Sequence, residues 1–542
     1  MKFCCLFAFA IVAAAQTPVI MISIDTLRAD HVGVYGYKAI PTPNIDAFAI
    51  GGTVFPNVDC QTPLTLPSHT SLFTSTYPFE NGIQENAEQI PPNAVTLASV
   101  LKSHGYKTSA FVSSVFLEQE MGLDKGFDTY DSPFHFAAFS PVSGEMFFGG
   151  PPNLSIARER RDGALTVHAA VRWLAANKGQ PVFIFIHLFD LHTPYSVPER
   201  KGISRYDAQL VLEDEIVGRL KNALVQNGWW DKSLTVLFYD LGEGLGDHGE
   251  QSHGYFIYES TLHVPLIFHW PSGQTGQAQP AALIDVAPAI LDFLRIPEPN
   301  SFEGKSTAHP VYSESLHTHD SFGWSPLRSV RVGNYKYIEA PKPELYDLAK
   351  DPAEQHNIVL SDPERARALR AELGKILASR KQQPAPAGST NPQTEKLLSS
   401  LGYLGRGPDA GKKGGADPKD RLAEFYLYER ASEKMGNRDL SGAAALLKQV
   451  LAQDPTNSLA RRDLASCYLD LHDYAKARLN FQQVVKAAPQ DYPSQFGLGL
   501  AAKHLGMTDE ARTHLEAACK LAPQASQCKA ELSDLNGSGS VR

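Results

Sequence analysis

A chain of 542 residues is too long for one ordinary core, so it holds several domain-sized units or one large domain with an appendage. Its 43% apolar and 20% charged content is that of a globular protein, and a net charge of −9 with no basic stripe excludes nucleic acid as a partner.

The chain opens with Met1-Lys2, an apolar stretch from Phe3 to Val12 and the small-residue run Ala13-Ala-Ala15, the layout of a signal peptide over residues 1–15 cut after Ala15. That stretch is too short to cross a bilayer, and no later one is long and apolar enough, so the expectation is an exported protein, periplasmic or secreted, with no transmembrane segment. Cys4 and Cys5 would leave with the signal. Of the four that remain, Cys519 and Cys528 are spaced to pair between adjacent helices in an oxidising compartment.

Residues 16–380 alternate apolar strand-like runs with helical patterns. The runs Val19-Ile-Met-Ile-Ser-Ile24, Thr108-Ser-Ala-Phe-Val112, Val182-Phe-Ile-Phe-Ile186 and Leu234-Thr-Val-Leu-Phe-Tyr239 are too apolar for one-sided burial. They predict an α/β domain built on a large mixed or parallel sheet sandwiched by helices. Chemistry-bearing residues stand where these runs end. Asp25 follows the first, His187-Leu-Phe-Asp190-Leu-His192 closes the third, and the glycine-rich segment Asp240-Leu-Gly-Glu243-Gly-Leu-Gly-Asp247-His248-Gly-Glu250, continuing to His253, follows the fourth. Carboxylates and imidazoles this dense form a ligand set for a divalent cation. Thr65, in Thr65-Leu-Pro67-Ser68-His69, is predicted at a helix N-terminus, where unpaired N–H groups favour an anion. Asp207 to Asp214 reads as a solvated helix face, Trp229-Trp230 as a helix end, His317 and His319 as loop histidines able to line a cleft, and Lys336 as a packing residue.

Residues 381–418 turn to Pro, Gly, Ser, Lys and Gln, the composition of a linker, with an apolar island at 397–404. Residues 419–535 repeat. Pro455, Pro489 and Pro523 stand 34 apart, as do Ala443, Ala477 and Ala511, then Leu447, Phe481 and Leu515, then Ala431, Ala465 and Gly499. Small residues where helices cross, a large apolar residue and a helix-ending proline resemble about three tetratricopeptide repeats plus a capping helix, an all-α solenoid with a groove for a protein or peptide.

Asp25-Thr-Leu-Arg28-Ala-Asp30, Thr42-Pro-Asn-Ile-Asp46, Thr65-Leu-Pro-Ser-His69, Gly242-Glu-Gly-Leu-Gly-Asp-His-Gly-Glu250, Val264-Pro-Leu-Ile267 and the tail Glu344 to Glu354 fall in the order of the sulfatase family within the alkaline phosphatase superfamily, which residues 18–360 resemble. The resemblance implies a divalent metal (Ca, Mg, Mn or Zn) held by Asp25, Thr65 and Asp240. It implies Thr65 as nucleophile on a sulfate or phosphate ester, His192 and His253 in catalysis, and Arg28, His69, Asp190 and His192 holding the anionic ester. A second metal on Asp190, His192 and His253 is the variant that His253-Gly-Tyr255 suggests.

The chain departs from that pattern. Sulfatases oxidise a cysteine or serine at the position of Thr65 to an aldehyde, which threonine cannot give; a metal-bound threonine is the nucleophile of the phosphodiesterase and phosphonate branches. His69 replaces the family arginine, and the usual lysine is absent from Phe111-Val-Ser-Ser-Val115. Leu241 stands where the family has a His or Asn metal ligand and offers no lone pair, unless His31, His248 or water substitutes. Three readings follow: a metal-dependent ester hydrolase using Thr65, a catalytically impaired binding protein working through its repeats, and a phospho-headgroup transferase.

Overall fold

The computed structural model describes residues 16–86, 88–134, 160–378, 407–408, 415–523 and 525–537. The predicted signal peptide, the island at 397–404 and most of the linker lie outside them.

Seven strands form the main sheet: β1 (Val19–Ile24), β2 (Gly52–Phe55), β3 (Lys107–Phe111), β4 (Thr129–Asp131), β5 (Val182–Leu188), β6 (Leu234–Tyr239) and β7 (Leu266–His269), in the order β2-β7-β6-β1-β5-β3-β4. The five strands from β6 to β4 run parallel, and β7 and β2 close one edge antiparallel. Every residue of β1, β5 and β6 is buried, as their unbroken apolar sequences require of strands covered on both faces. Helices α1 (Thr65–Thr74), α2 (Leu97–Ser103), α3 (Gly163–Ala176), α4 (Arg205–Gln226), α5 (Val286–Leu294) and α6 (His317–Phe322) complete the large unit. A smaller antiparallel sheet follows, β8 (Val311–Ser315), β9 (Leu327–Val332), β10 (Tyr335–Glu339) and β11 (Glu344–Asp347), backed by α7 (Pro363–Ala378). Lys336 is buried there between Glu259 and Glu354, at 2.8 and 3.0 Å, a structural ion pair.

The reading of Asp207 to Asp214 as a solvated face is corrected. Asp207 accepts from the Tyr37 hydroxyl and pairs with His31, while Asp214 caps the short helix Pro43–Asp46 by accepting from the N–H groups of Asn44 and Ile45. Glu213 is fully buried. The segment 28–46 covers this face of α4 and supplies the donors that draw these acids inward. Trp230 stacks on His269 with ring centroids 3.9 Å apart, a packing contact.

The repeat stack is α8 (Leu422–Gly436), α9 (Leu440–Gln453), α10 (Ser458–Asp470), α11 (Tyr474–Ala487), α12 (Tyr492–His504), α13 (Thr508–Leu521) and the capping helix α14 (Ser526–Gly537). Ala431, Ala443, Ala465, Ala477 and Ala511 are fully buried at the helix crossings, with Leu447, Phe481 and Leu515 between helices. At Gly499 a Cβ would press on Leu515, so only glycine lets α12 and α13 approach this closely. Cys519 and Cys528 form a disulfide joining α13 to α14.

The first repeat helix sits directly on the loop that carries His253. The Tyr426 hydroxyl donates to Gly249 O at 2.7 Å and accepts from Gln251 N at 2.8 Å. The Tyr255 ring meets Phe425 edge-on at 4.5 Å, and its hydroxyl donates to Pro418 O. Phe322 and Tyr428 extend this aromatic seam.

Candidate active site

Strand register assembles the centre. β1 and β6 pair Ile24 with Tyr239, so the next residues, Asp25 and Asp240, emerge side by side; β1 and β5 pair Ser23 with His187. Side chains alternate along a strand, so Ser23, Asp25, His187 and Asp240 share one face of the sheet. Helix α1 lies over that face and begins at Thr65, whose hydroxyl donates to Asp25 Oδ2 at 3.3 Å. The helix is pinned by Ser68, whose Oγ donates to Asp240 O at 2.6 Å, and by Asn86, whose Oδ1 accepts from Leu66 N.

The turn after β1 is strained. Thr26 takes φ 55°, a left-handed conformation costly for a β-branched residue. The Tyr206 hydroxyl of α4 holds it, donating to Thr26 O at 2.8 Å and accepting from Arg28 N at 2.9 Å. After β6 the chain folds tightly back on itself: Gly244 N donates to Ser252 O at 2.6 Å, and a Cβ on Gly244 would collide with the carbonyls of Glu250 and Ser252. Glu250 supports the loop by accepting from Tyr255 N and Phe256 N.

Asp25, Thr65, His69, His187 and Asp240 are all fully buried. Asp25 Oδ1, both Asp240 carboxylate oxygens and both His187 ring nitrogens make no hydrogen bond of normal geometry. His187 Nε2 lies 3.4 Å from Asp25 Oδ2. Burial would raise the Asp25 carboxyl, but His187, then His192 and His253, hold it below its ordinary value; Asp240 is pushed well up by burial and by the Asp25 charge. Two adjacent carboxylates withdrawn from water cost on the order of several kcal/mol each unless a cation compensates them. A divalent ion fits this donor set, with Asp25, Asp240 and the Thr65 hydroxyl as oxygen donors. Among the described residues His69, His187 and Asp240 also offer ligand atoms within 4.8 Å of one another.

His69 is already engaged. Its Nδ1 donates to Thr65 O at 2.8 Å and its Nε2 accepts from Ser23 Oγ at 3.1 Å, a neutral tautomer consistent with a value lowered to about 3 by burial and by His187. His192 stacks on Phe189, its Nδ1 donates to Thr193 O at 2.5 Å, and burial brings it down to about 4. His253 lies beside it, ring centroids 5.1 Å apart, but its Nδ1 faces Glu243 Oε1 at 3.2 Å, which raises it above its ordinary value against the opposing effect of burial. The site therefore sets side by side one imidazole made less basic and one made more basic than an ordinary histidine. An open cleft of about 590 Å³ is lined by Arg28, Thr193, Tyr195, Arg205, Gln251 and Ser252, and so by the chain neighbours of both histidines, Thr193 and Ser252.

Several expectations need correction. Asp190 is not brought into the cluster: its Oδ2 accepts from Gly163 N at 2.8 Å at the start of α3, and burial with Asp162 pushes it up to about 6. The second metal on Asp190, His192 and His253 is therefore not assembled among the described residues. Arg28 has all five donors engaged, on Asp30, Asp247 and the carbonyls of Glu243 and Gly244, leaving none for a substrate. Neither histidine suggested as a stand-in for Leu241 approaches the centre; His31 pairs with Asp207 and His248 bonds Ala353 O. Leu241 is fully buried. His317 pairs with Glu85 at 3.2 Å, and His319 donates to Trp324 O. The centre also contains His187 and Glu243, which the sequence reading named among its strand-end residues without giving either a role. His187 continues an apolar strand, and the signal that finds it is its pairing with Ser23, one step before Asp25.

Comparison with known proteins agrees with this geometry. A family model described as Sulfatase matches residues 17–296, and one described as N-sulphoglucosamine sulphohydrolase, C-terminal, matches 246–383. Two described as Tetratricopeptide repeat match 434–498 and 492–524. Among similar proteins, a Delta 4,5-hexuronate-2-O-sulfatase of Bacteroides thetaiotaomicron is 24% identical over 65% of this chain and 86% of its own length. Arylsulfatase K of Homo sapiens is 23% identical over 67% and 83%. Among solved structures, Ps i-CgsB in complex with k-i-k-neocarrahexaose superposes with a TM-score of 0.54 at 21% identity, covering 68% of this chain and 94% of that one. The phosphonate monoester hydrolase of Agrobacterium radiobacter gives 0.52 at 20% identity, covering 67% and 95%. The chain belongs to the sulfatase family of ester hydrolases and carries tetratricopeptide repeats behind its alkaline-phosphatase-like domain.

Proposed function

We propose that this protein is an exported, metal-dependent hydrolase of sulfate or phosphate esters in which Thr65 is the nucleophile. The observation that carries the reading is the Thr65 hydroxyl at a helix N-terminus, 3.3 Å from the carboxylate of a fully buried, under-bonded Asp25 and Asp240 pair. A divalent cation held by Asp25, Asp240 and Thr65 would polarise the ester oxygen and make the Thr65 hydroxyl more acidic. Asp25 Oδ2 accepts the Thr65 proton as its oxygen attacks sulfur or phosphorus. The His253 imidazolium, oriented by Glu243, protonates the departing oxygen, while neutral His192, whose proton is held on Nδ1 by Thr193 O, presents an Nε2 lone pair that can only accept a hydrogen bond. Water entering from the cleft then cleaves the Thr65 ester, with neutral His253 taking its proton.

Sulfated sugars are the first substrates to try, because similar proteins include a hexuronate-2-O-sulfatase. Phosphonate and phosphate esters come next, because threonine cannot form the aldehyde nucleophile and a phosphonate monoester hydrolase shares the fold. Export is supported by the leader composition of residues 1–15 and agrees with the Cys519–Cys528 pairing. A panel of sulfate monoesters, phosphomonoesters, phosphodiesters and phosphonates, each with Zn2+, Mn2+, Mg2+ or Ca2+, tests the reading. Turnover lost in Thr65→Ala supports it; no turnover in any arm, with Thr65→Ala indistinguishable, rejects it. The second reading, an impaired enzyme acting as a binding platform, rests on Leu241; tight metal binding by the natural chain removes it.

A further inference from the structure

The metal centre of the proposed reaction has a gap at Leu241 after β6 and, beyond β1 on β5, an imidazole whose ring nitrogens are under-bonded. The His187 imidazole is fully buried, Nδ1 makes no hydrogen bond, and Nε2 makes none of normal geometry. A buried polar group left this way costs about 1–3 kcal/mol, so a purely structural histidine would normally be paired. Its Nε2 lies 3.4 Å from Asp25 Oδ2, and one of its ring nitrogens lies within 4.8 Å of ligand atoms of His69 and Asp240. Two donors on opposite sides of an ion, each about 2.0–2.2 Å from it, span roughly 4.2 Å, so small side-chain adjustments close this group on one centre. The other histidines are committed: His69 through both nitrogens, His192 on Thr193, His253 on Glu243, and His31 and His248 elsewhere.

We propose that His187 supplies the donor Leu241 lacks, so that the missing ligand returns from β5, on the other side of β1, rather than from the residue after Asp240. The inference rests on the metal-dependent reading above and deepens it by naming the ion class. Replacing an oxygen donor by imidazole turns an oxygen-rich site suited to Ca2+ into a mixed nitrogen and oxygen site suited to Zn2+, Mn2+ or Co2+.

The test strips the full-length protein with chelator and titrates it with Co2+, Zn2+ and Ca2+, following Co2+ absorption and calorimetric affinity. The natural chain is expected to prefer Zn2+ and Co2+ over Ca2+. His187→Ala should weaken Zn2+ and Co2+ at least about 100-fold, more than the loss of a group that merely orients a ligand, and alter the Co2+ spectrum. His187→Ala with Leu241→His should recover most of that affinity. His187→Asn, which puts an amide oxygen in place of the imidazole nitrogen and keeps most of the volume, should fold with native circular dichroism and shift preference towards Ca2+. Unchanged Zn2+ affinity and Co2+ spectrum in both His187 variants, with Asp25→Asn still abolishing binding, overturns the role of His187 and leaves the metal reading standing. Absence of any ion binding in the natural chain overturns both.

Discussion

The catalytic domain and the repeat stack bring residues together by opposite routes. In the domain, Asp25, Thr65, His187 and Asp240 meet across more than two hundred positions of sequence, because parallel strands emerge at one end of a sheet. In the stack, Ala443, Ala477 and Ala511 recur every 34 residues, and each helix touches chiefly its neighbours. A non-local site fails as a unit when one member is lost, whereas a stack loses stability where it is cut.

The sharpest way to break that contrast is at the proposed nucleophile. Thr65→Ala should lower kcat/KM by about 10⁴-fold or more while leaving the melting temperature within a few degrees, and Thr65→Ser should retain part of the activity. Steady-state kinetics beside thermal denaturation reads both. Phe481→Ala should act the other way, costing about 3–5 kcal/mol in a chemical denaturation of the repeats with little change in turnover.

The seam tests whether the two regions are separable. Tyr426→Phe removes the hydroxyl that bridges Gly249 and Gln251, a loss of roughly 1–2 kcal/mol, and should speed amide exchange in residues 249–258 without altering exchange in β1. The smallest effect is expected at His309, where burial opposes but Asp285 prevails, raising the imidazole above its ordinary value. A raised histidine contributes stability below its unfolded value near 6.5, and loses it as pH rises through the folded value. Melting temperature should therefore fall between pH 6 and 9 in the natural chain, by about 2–4 °C for roughly 1 kcal/mol, and less in His309→Gln.

The same contrast explains what could be read from the sequence. The repeat stack was legible because its signal is a local period. Asp25, Thr65 and Asp240 were legible because each sits at the end of an apolar run or the start of a helix. His187 stood at the end of such a run without a role, because only strand register reveals its partners. Asp190 misled for the converse reason, since a strand-end acid also caps a helix, here through Gly163. The acids from Asp207 to Asp214 looked solvated because the donors they meet come from residues 31 to 45, far off in sequence.

The aromatic seam has a consequence for how this protein can be taken apart. Tyr255, two residues beyond His253, is buried under Phe425, and its hydroxyl is satisfied by Pro418. The repeats are thus not a detachable cassette. A truncation before residue 418 would leave an aromatic face and an unpaired hydroxyl open to water beside the proposed proton donor, and a chimera with a foreign repeat array would need to reproduce Pro418, Phe425 and Tyr426 before its catalytic half could be judged.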